Sequence, residues 1–228
     1  MDPRVAEIFP PLGVRVTCGP LELRGIGDTE MLALLDVVQD GIHDPDRMPF
    51  FFPWTDAPAS EMPLSYLQWW TRGLATWSRE AWSLDLCALW EGEVVGVQGV
   101  ATQDFLTFRY GETGSWLGRR FQGRGIGTAA RQALCALLFD HLDFEFITSA
   151  AFTDNPASLR VSEKLGYRDN GIAWDNPRGH RATTRRLLLL PEDFVAGEEP
   201  VAVEGVEAMR RFIGLDGPQP ISDLATLG

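Results

Sequence analysis

The chain has 228 residues, with 32 acidic against 20 basic side chains, a formal net charge of −12 and a pI of about 4.7. That charge argues against a general nucleic-acid binder, which needs a positive footprint, and no apolar run approaches the roughly 20 residues that cross a bilayer. Hydrophobic residues at 45% and charged residues at 23% are the balance of a globular protein, with ample length for a core.

The first residues, MDPRVAEIFPPLG, lack a basic stretch followed by an apolar one, so no secretory leader is read and a cytoplasmic protein is expected. Cys18, Cys87 and Cys135 are odd in number and widely spaced, the usage of buried thiols in a reducing compartment. His43, His141 and His180 share no ligand spacing with one another or with the cysteines, so no metal is expected.

Along the chain, residues 14–26 alternate or run apolar between glycines and a proline, which predicts an opening strand or hairpin. Asp28-Thr29-Glu30 then caps a helix with Met31, Leu34, Leu35 and Val38 on one face, ending near Gly41. From His43 to Pro63 periodicity fails. Pro45, Pro49, Pro53 and Pro58 punctuate a run that also holds Phe50-Phe51-Phe52 and Trp54. A loop of that length reads either as a lid or partner surface, or as a loop pinned to the core by its aromatics.

A second, aromatic-rich helix is predicted over 64–82, then strands over 84–90 and 93–102 joined by the turn Glu91-Gly92, and a third strand over 105–117. After Gly127, the spacing of Ala130, Ala133, Leu134, Leu137 and Leu138 predicts a strong helix. A buried strand over 144–151 leads to a helix opened by Asn155-Pro156 and closed by Gly166. Strands over 167–174 and 180–190 follow. The chain thus divides into one domain, 1–195, and an acidic Gly/Pro-bearing tail, 196–228, partly packed or flexible, with one helical piece over 206–212. Strands that first run together and then alternate with helices predict a mixed α+β sheet covered by helices.

The most informative stretch is Gly114 to Ala130, GSWLGRRFQGRGIGTAA, where a strand runs through a glycine-rich loop into the long helix. Glycines let successive backbone amides approach a phosphate, and the helix N-terminus adds partial positive charge. Arg119, Arg120 and Arg124 add charge-assisted donors in an otherwise acidic protein. This is the composition of an anion cradle. The run from Gly125 to Ala130 also fits a dinucleotide fingerprint, with Glu145 about 20 residues on. A dinucleotide turn follows its strand at once, however, whereas Gly118 to Arg124 intervene here, and the preceding strands are hairpins rather than crossover units. That reading is rejected.

Gln122-Gly123-Arg124-Gly125-Ile126-Gly127 instead resembles the Q-x-x-G-x-G pyrophosphate loop of the GNAT acyltransferase superfamily. Asn155-Pro156-Ala157-Ser158 followed by Val161-Ser162-Glu163-Lys164-Leu165-Gly166-Tyr167 is similar to the coenzyme-side helix of the branch that includes the protein N-acetyltransferases RimJ and RimL. The two motifs occur in the family's order and on its elements, and the resemblance covers residues 12–190. It implies a mixed α/β GNAT fold: a central, mostly antiparallel sheet of six to seven strands, splayed between the fourth and fifth, with four main helices.

The resemblance further implies an N-acyltransferase that uses acetyl- or succinyl-coenzyme A as cosubstrate, without a metal, by direct attack of a primary amine in a ternary complex. Trp116 and Leu117 would hold the pantetheine arm and thioester. Gln122, Gly123, Arg124, Gly125, Ile126, Gly127 and Thr128 would form the pyrophosphate loop. Asn155 would contact the pantetheine, or serve simply as a helix cap. Ser158 would bond the sulfur and protonate the departing thiolate, or face solvent in a first turn.

An attacking amine must lose a proton, and Glu112, on the strand face shared with Gly114 and Trp116 and close to where some members of the family carry a glutamate base, is the candidate base, or else a solvated edge glutamate. Asp104 and Asp56 are lesser candidates. The loop 49–56, with Trp54 and Asp56 as candidate acceptor-binding residues, resembles an actinobacterial-type subgroup, some of whose members are associated with succinyl transfer. A succinyl carboxylate would call for an arginine such as Arg109 or Arg72. The amine acceptor is expected to be a protein N-terminus, a lysine or a small amine, and the assembly a homodimer or higher homo-oligomer. A non-catalytic acyl-coenzyme A sensor and an interaction protein built on the aromatic loop remain the alternatives.

Overall fold

A computed structural model describes residues 3–217. After a short helix α1 (Pro3–Ile8), the opening segment forms an antiparallel hairpin, β1 (Arg15–Cys18) and β2 (Leu21–Gly25). Helix α2 (Asp28–Gln39) begins where the Glu30 carboxylate accepts the Gly27 amide at 3.1 Å, and buries Met31, Leu34, Val37 and Val38. The unpatterned stretch leads to α3 (Met62–Ala75), which ends seven residues before the 82 expected of it. Trp82 is the reason. It belongs to β3 (Ala81–Trp90) and is buried against Phe105 and Phe144.

Strand β4 (Glu93–Gln103) returns from β3 through the tight turn, with Glu91 in the left-handed region at φ 52°. The strand expected over 105–117 is shorter than that. Asp104 and Arg109, both left-handed, bracket a single helical turn, α4 (Phe105–Phe108), which drives the Phe105 ring fully into the core. Only then does β5 (Tyr110–Leu117) begin. Next come α5 (Ile126–Ala136), continued by a π-helical turn to His141, then β6 (Phe146–Phe152), α6 (Pro156–Lys164), β7 (Arg168–Asp175) and β8 (Ala182–Leu189).

Beyond them, β9 (Val201–Glu204) pairs antiparallel with β1, and α7 (Val206–Ile213) buries Val206, Met209 and Ile213. Residues 201–213 of the acidic segment are therefore integral to the sheet and core, and residues 218–228 lie outside the described residues. The sheet has nine strands in the order β7-β8-β6-β5-β4-β3-β2-β1-β9. It exceeds the expected six to seven because the opening segment supplies two strands and the acidic segment supplies β9.

Two apolar layers sandwich this sheet. On one face, α5 and α7 cover a core that includes Leu84, Leu86, Val100, Leu134 and Phe105. On the other, α2 and α3 cover Ile26, Leu34, Cys87, Leu89 and Val97. Alternate residues of β3 and β4 thus serve opposite cores, as the two-residue period of a strand requires.

Every pairing is antiparallel except that of β5 with β6, which is parallel and stops after Thr113↔Ser149. Beyond that pair, residues 114–117 of β5 and 150–152 of β6 diverge into a fork. These are the fourth and fifth strands of the sequence reading, and the splay falls between them as expected.

Candidate active site

The open end of the fork is flanked by two helix N-termini. The β5 arm runs through Gly118 and the glycine loop into α5, and the β6 arm runs into α6. Gly123 and Gly125 hold φ of 73° and 83°, a left-handed conformation that costs other residues about 1–2 kcal/mol. No protein atom lies within 4 Å of a Cβ built on either. Among the described residues, no backbone carbonyl accepts from the amides of Gly123, Arg124 or Gly125. Orphan donors at a helix N-terminus with open space before them make an anion site. That arrangement fits a pyrophosphate.

Around it, the predicted residues divide into those that face the space and those that shape it. The Gln122 side-chain amide donates to Ile42 O at 2.7 Å and to Leu117 O at 2.8 Å, so it ties the loop to the strand end. Ile126 is buried and anchors the helix, and Leu117 packs beneath Gly127. The Thr128 amide is used by Gly125 O at 3.0 Å. Of the three arginines, Arg120 is engaged elsewhere: it pairs with Glu93 at 2.7 Å and stacks on Phe121. Arg119 and Arg124 are exposed beside the loop.

On the β6 arm, Asn155 Oδ1 accepts the Ser158 amide at 3.2 Å, a helix cap. Among the described residues, the Ser158 hydroxyl has no hydrogen-bond partner, which leaves it available to a ligand at the mouth of the fork. Glu112 sits one pair before the fork, opposite Ala101 and Thr148. Desolvation raises its carboxyl above the ordinary value, with Arg186 opposing and Asp175 reinforcing the shift. Asp104 lies five residues past Gly99 along β4, in the turn before α4, away from the fork.

The long loop roofs both arms. Trp54 packs on Trp116 of the β5 arm with centroids 6.2 Å apart, Phe51 packs on Phe152 of the β6 arm at 5.0 Å, and Arg47 donates to Asp154 O. Asp56 is held by Arg178 in a two-point ion pair, at 2.8 and 2.5 Å, which fastens the loop to the β7–β8 connection. That pairing lowers the Asp56 carboxyl below its ordinary value and makes Asp56 a fastener of the loop. Beside it, a cavity of about 500 Å³ is lined by His43, Thr55, Asp56, Met62 and Arg178.

Two polar residues escaped the sequence reading. Arg131, on α5, is 4% exposed and donates only to neutral oxygens: Gln98 at 3.2 Å, Thr113 at 3.0 Å, Ser149 at 3.3 Å and Ser115 at 2.9 Å. It joins β4, β5 and β6 at the crotch of the fork. Its signal was an arginine on the buried face of an otherwise apolar helix. Asp85, in the middle of β3, lies opposite Gly99 of β4, which lies opposite Gly114 of β5. Its signal was a lone carboxylate in the apolar strand run LDLCALW.

The cysteines are free and buried, and burial pushes Cys87 up to about 12 and Cys135 up to about 11, which leaves no thiolate nucleophile. Tyr167 is buried, with its hydroxyl 3.3 Å from Thr113 Oγ1, and burial raises it well above the ordinary tyrosine value. Arg109 stacks on Phe105 at the far end of β5 from the fork, whereas Arg72 lines a cavity beside Asp85. Among the described residues, no three His, Cys, Asp or Glu side chains could hold a metal ion, and no helix is long and apolar enough to cross a membrane.

Known proteins share this architecture. RimL, a ribosomal L7/L12 alpha-N-protein acetyltransferase solved with coenzyme A, superposes with a TM-score of 0.61 over 75% of this chain and 94% of its own, at 18% identity. Mycobacterium smegmatis RimJ, solved with a coenzyme A disulfide, gives 0.64 over 79% and 86%, at 19% identity. In sequence, Bacillus subtilis (strain 168) YdaF, named for an inferred ribosomal N-acetyltransferase activity, is 31% identical over 87 residues. That alignment spans 38% of this chain and 47% of YdaF, about half its length. The family model for the acetyltransferase (GNAT) domain matches residues 21–168, which take in the fork, the glycine loop and α6. With more than half its length in that match, the chain belongs to the GNAT acetyltransferase domain family.

Proposed function

We propose that the protein is an N-acyltransferase that moves an acetyl or succinyl group from acyl-coenzyme A to a primary amine by direct attack. The observation that carries this is the cradle: two left-handed glycines and three amides that, among the described residues, donate to no backbone carbonyl, at the N-terminus of α5 where β5 leaves β6. A pyrophosphate on those amides puts the rest of the donor along the open edge of β5, past Leu117 and Trp116 toward the crotch at Thr113. Phe51 and Trp54 pack on the two arms and roof that path.

In this reading the amine nitrogen attacks the thioester carbonyl carbon, the C–S bond breaks, and the departing thiolate takes a proton from the Ser158 hydroxyl. Glu112, one pair from the crotch and with its carboxyl raised, receives a proton from the adduct through water in this reading. Asn155 acts by fixing the first turn of α6 and so the position of Ser158. A protein N-terminus is the favoured acceptor class, on the strength of the names borne by RimL and YdaF.

The test is thiol release from acetyl- and succinyl-coenzyme A with a panel of peptides and small amines. Mass spectrometry of coenzyme species that co-purify with the protein names the donor. Binding without turnover across the panel would make the protein an acyl-coenzyme A sensor instead. Ser158→Ala should lower kcat by about 100-fold, the low end of positioned proton transfer, with coenzyme A affinity within twofold of the parent. An unchanged kcat would remove Ser158 from the chemistry.

A further inference from the structure

We infer that Asp85 is the acceptor-site carboxylate, which binds the ammonium of the incoming amine and takes its proton, and that the cavity under α3 holds the rest of the acceptor. This rests on the acyltransfer reading above. Asp85 opposes Gly99, and Gly99 opposes Gly114, so the three lie in one row across β3, β4 and β5 and face the same side. The adjacent row, Leu84, Val100 and Thr113, faces the other side and is buried.

The two glycines leave the row bare. A Cβ on Gly99 would fall 2.1 Å from Asp85 Oδ1, so the carboxylate lies over β4 in the space that any side chain at 99 would fill. Nothing lies within 4 Å of a Cβ built on Gly114, the first residue of the splayed arm. From the carboxylate to the β5 arm at Gly114 is therefore about one strand spacing, roughly 4.8 Å. No side chain of that row intervenes.

Behind Asp85 is a cavity of about 280 Å³, walled by Phe9, Trp69, Trp70 and Trp77, with Arg72 also in its lining. The Trp77 indole N–H is buried there without a hydrogen-bond partner. Aromatic faces beside a carboxylate are the chemistry of cation recognition, and the apolar walls take a short uncharged stem. The ligand class is a primary ammonium on an apolar stem, whether a free alkylamine or a peptide N-terminus.

Desolvation pushes the Asp85 carboxyl up to about 6, with a Ser83 hydrogen bond opposing. Above that pH it is a carboxylate able to accept a proton from a bound ammonium, which frees the nitrogen lone pair for attack. One ammonium proton goes to Asp85 and a second leaves with the adduct. The products are the amide, the coenzyme thiol and one net proton. The other charged or titratable groups around Asp85 include Arg72 and Tyr66 on α3, Cys87 on its own strand, Arg24 of β2 opposite Cys87 and paired with Glu30 of α2, and Glu112 on the same face beyond Gly114. Tyr66 and Cys87 are held neutral by burial.

The test uses the full chain and Asp85→Asn, which keeps the shape. In the parent, kcat/KM for n-butylamine should show an inflection near pH 6. In Asp85→Asn that inflection should vanish, kcat/KM at pH 7.5 should fall at least 100-fold, and coenzyme A affinity should stay within twofold. Without donor, n-butylammonium should quench tryptophan fluorescence at tenfold lower concentration than 1-butanol, and Asp85→Asn should erase that difference. Turnover of n-butylamine against a tripeptide amide with a free N-terminus tells which source of ammonium the site takes. An Asp85→Asn variant that keeps the parent's kcat/KM and pH profile overturns the inference. Loss of coenzyme A binding by the parent would instead overturn the acyltransfer reading.

Discussion

The two sides of the fork are built from different materials. On the proposed reading the donor side is backbone: amides of Gly123 to Gly125, an open strand edge and two helix starts, with side chains such as Gln122 serving to shape them. The acceptor side we infer is side chain: Asp85, Glu112 and a ring of tryptophans, set on a face made bare by Gly99 and Gly114. A coenzyme shared by many enzymes can be held by groups every chain possesses. An acceptor has to be chosen, and choice needs side chains.

The sharpest way to break this contrast is Gly125→Val. A side chain there meets no protein atom within 4 Å, and the left-handed φ of 83° costs the fold about 1–2 kcal/mol. The variant should therefore fold, with Tm lower by a few degrees, while losing coenzyme A affinity by more than 100-fold in calorimetry. Parent-like affinity would mean that the space before the loop is not where the phosphates go.

The same contrast explains what could be read from the chain. A site made of backbone must be encoded in glycines at fixed spacing, so Gln122 to Gly127 was legible, as was the Asn155-Pro156 helix start. The helices and hairpins near them followed from periodicity. The acceptor side was not legible, because Asp85, Gly99 and Gly114 become neighbours only through the pairing of three strands. Asp56, by contrast, was conspicuous in its loop and proved to be a fastener through Arg178, a residue 122 positions away. Strand β9 was missed because four residues in an acidic segment carry too little pattern to outweigh their composition.

Arg131 stands between the two regions and tests whether they are mechanically one. Its guanidinium is buried and satisfied only by Gln98, Thr113, Ser115 and Ser149, so Arg131→Met strands several buried polar groups at once. A loss of about 2–3 kcal/mol in chemical denaturation is expected. Both donor and acceptor parameters should worsen together, since the crotch of the fork is shared. A loss confined to one substrate would mean that the two sides are held independently.

Asp85 gives the comparison a thermodynamic form. Its folded pKa, about 6, lies above the ordinary aspartate value of 3.8, so the folded state binds this proton more tightly than the unfolded chain. Stability from this group is full below pH 3.8 and lost as pH rises through about 6. At pH 7.5, Asp85→Asn should therefore stabilise the protein by on the order of 1–2 kcal/mol, and the gain should shrink toward zero near pH 4. Stabilisation at the pH where activity is lost would mark a residue kept for the acceptor at the expense of the fold. Destabilisation at pH 7.5 would show that the carboxylate serves packing instead.

The smallest effect concerns the roof that both substrates share. The Arg178–Asp56 pair is solvent-facing, with side-chain exposures of 31% and 43%, so Arg178→Ala should change stability by less than about 1 kcal/mol. Its consequence should be kinetic. The loop that carries Phe51 and Trp54 to the two arms of the fork is fastened by this pair, and Arg178 also donates to Pro45 O at 2.9 Å. Loosening it should raise KM for both donor and amine a few fold and increase hydrolysis of the thioester relative to transfer, because water then reaches the covered path. Salt should mimic the variant in the parent protein, since an exposed ion pair is screened over a Debye length of about 8 Å at physiological ionic strength. A transfer-to-hydrolysis ratio that ignores both the substitution and the salt would show that the aromatic packing alone keeps the roof closed, and that the ion pair merely decorates it.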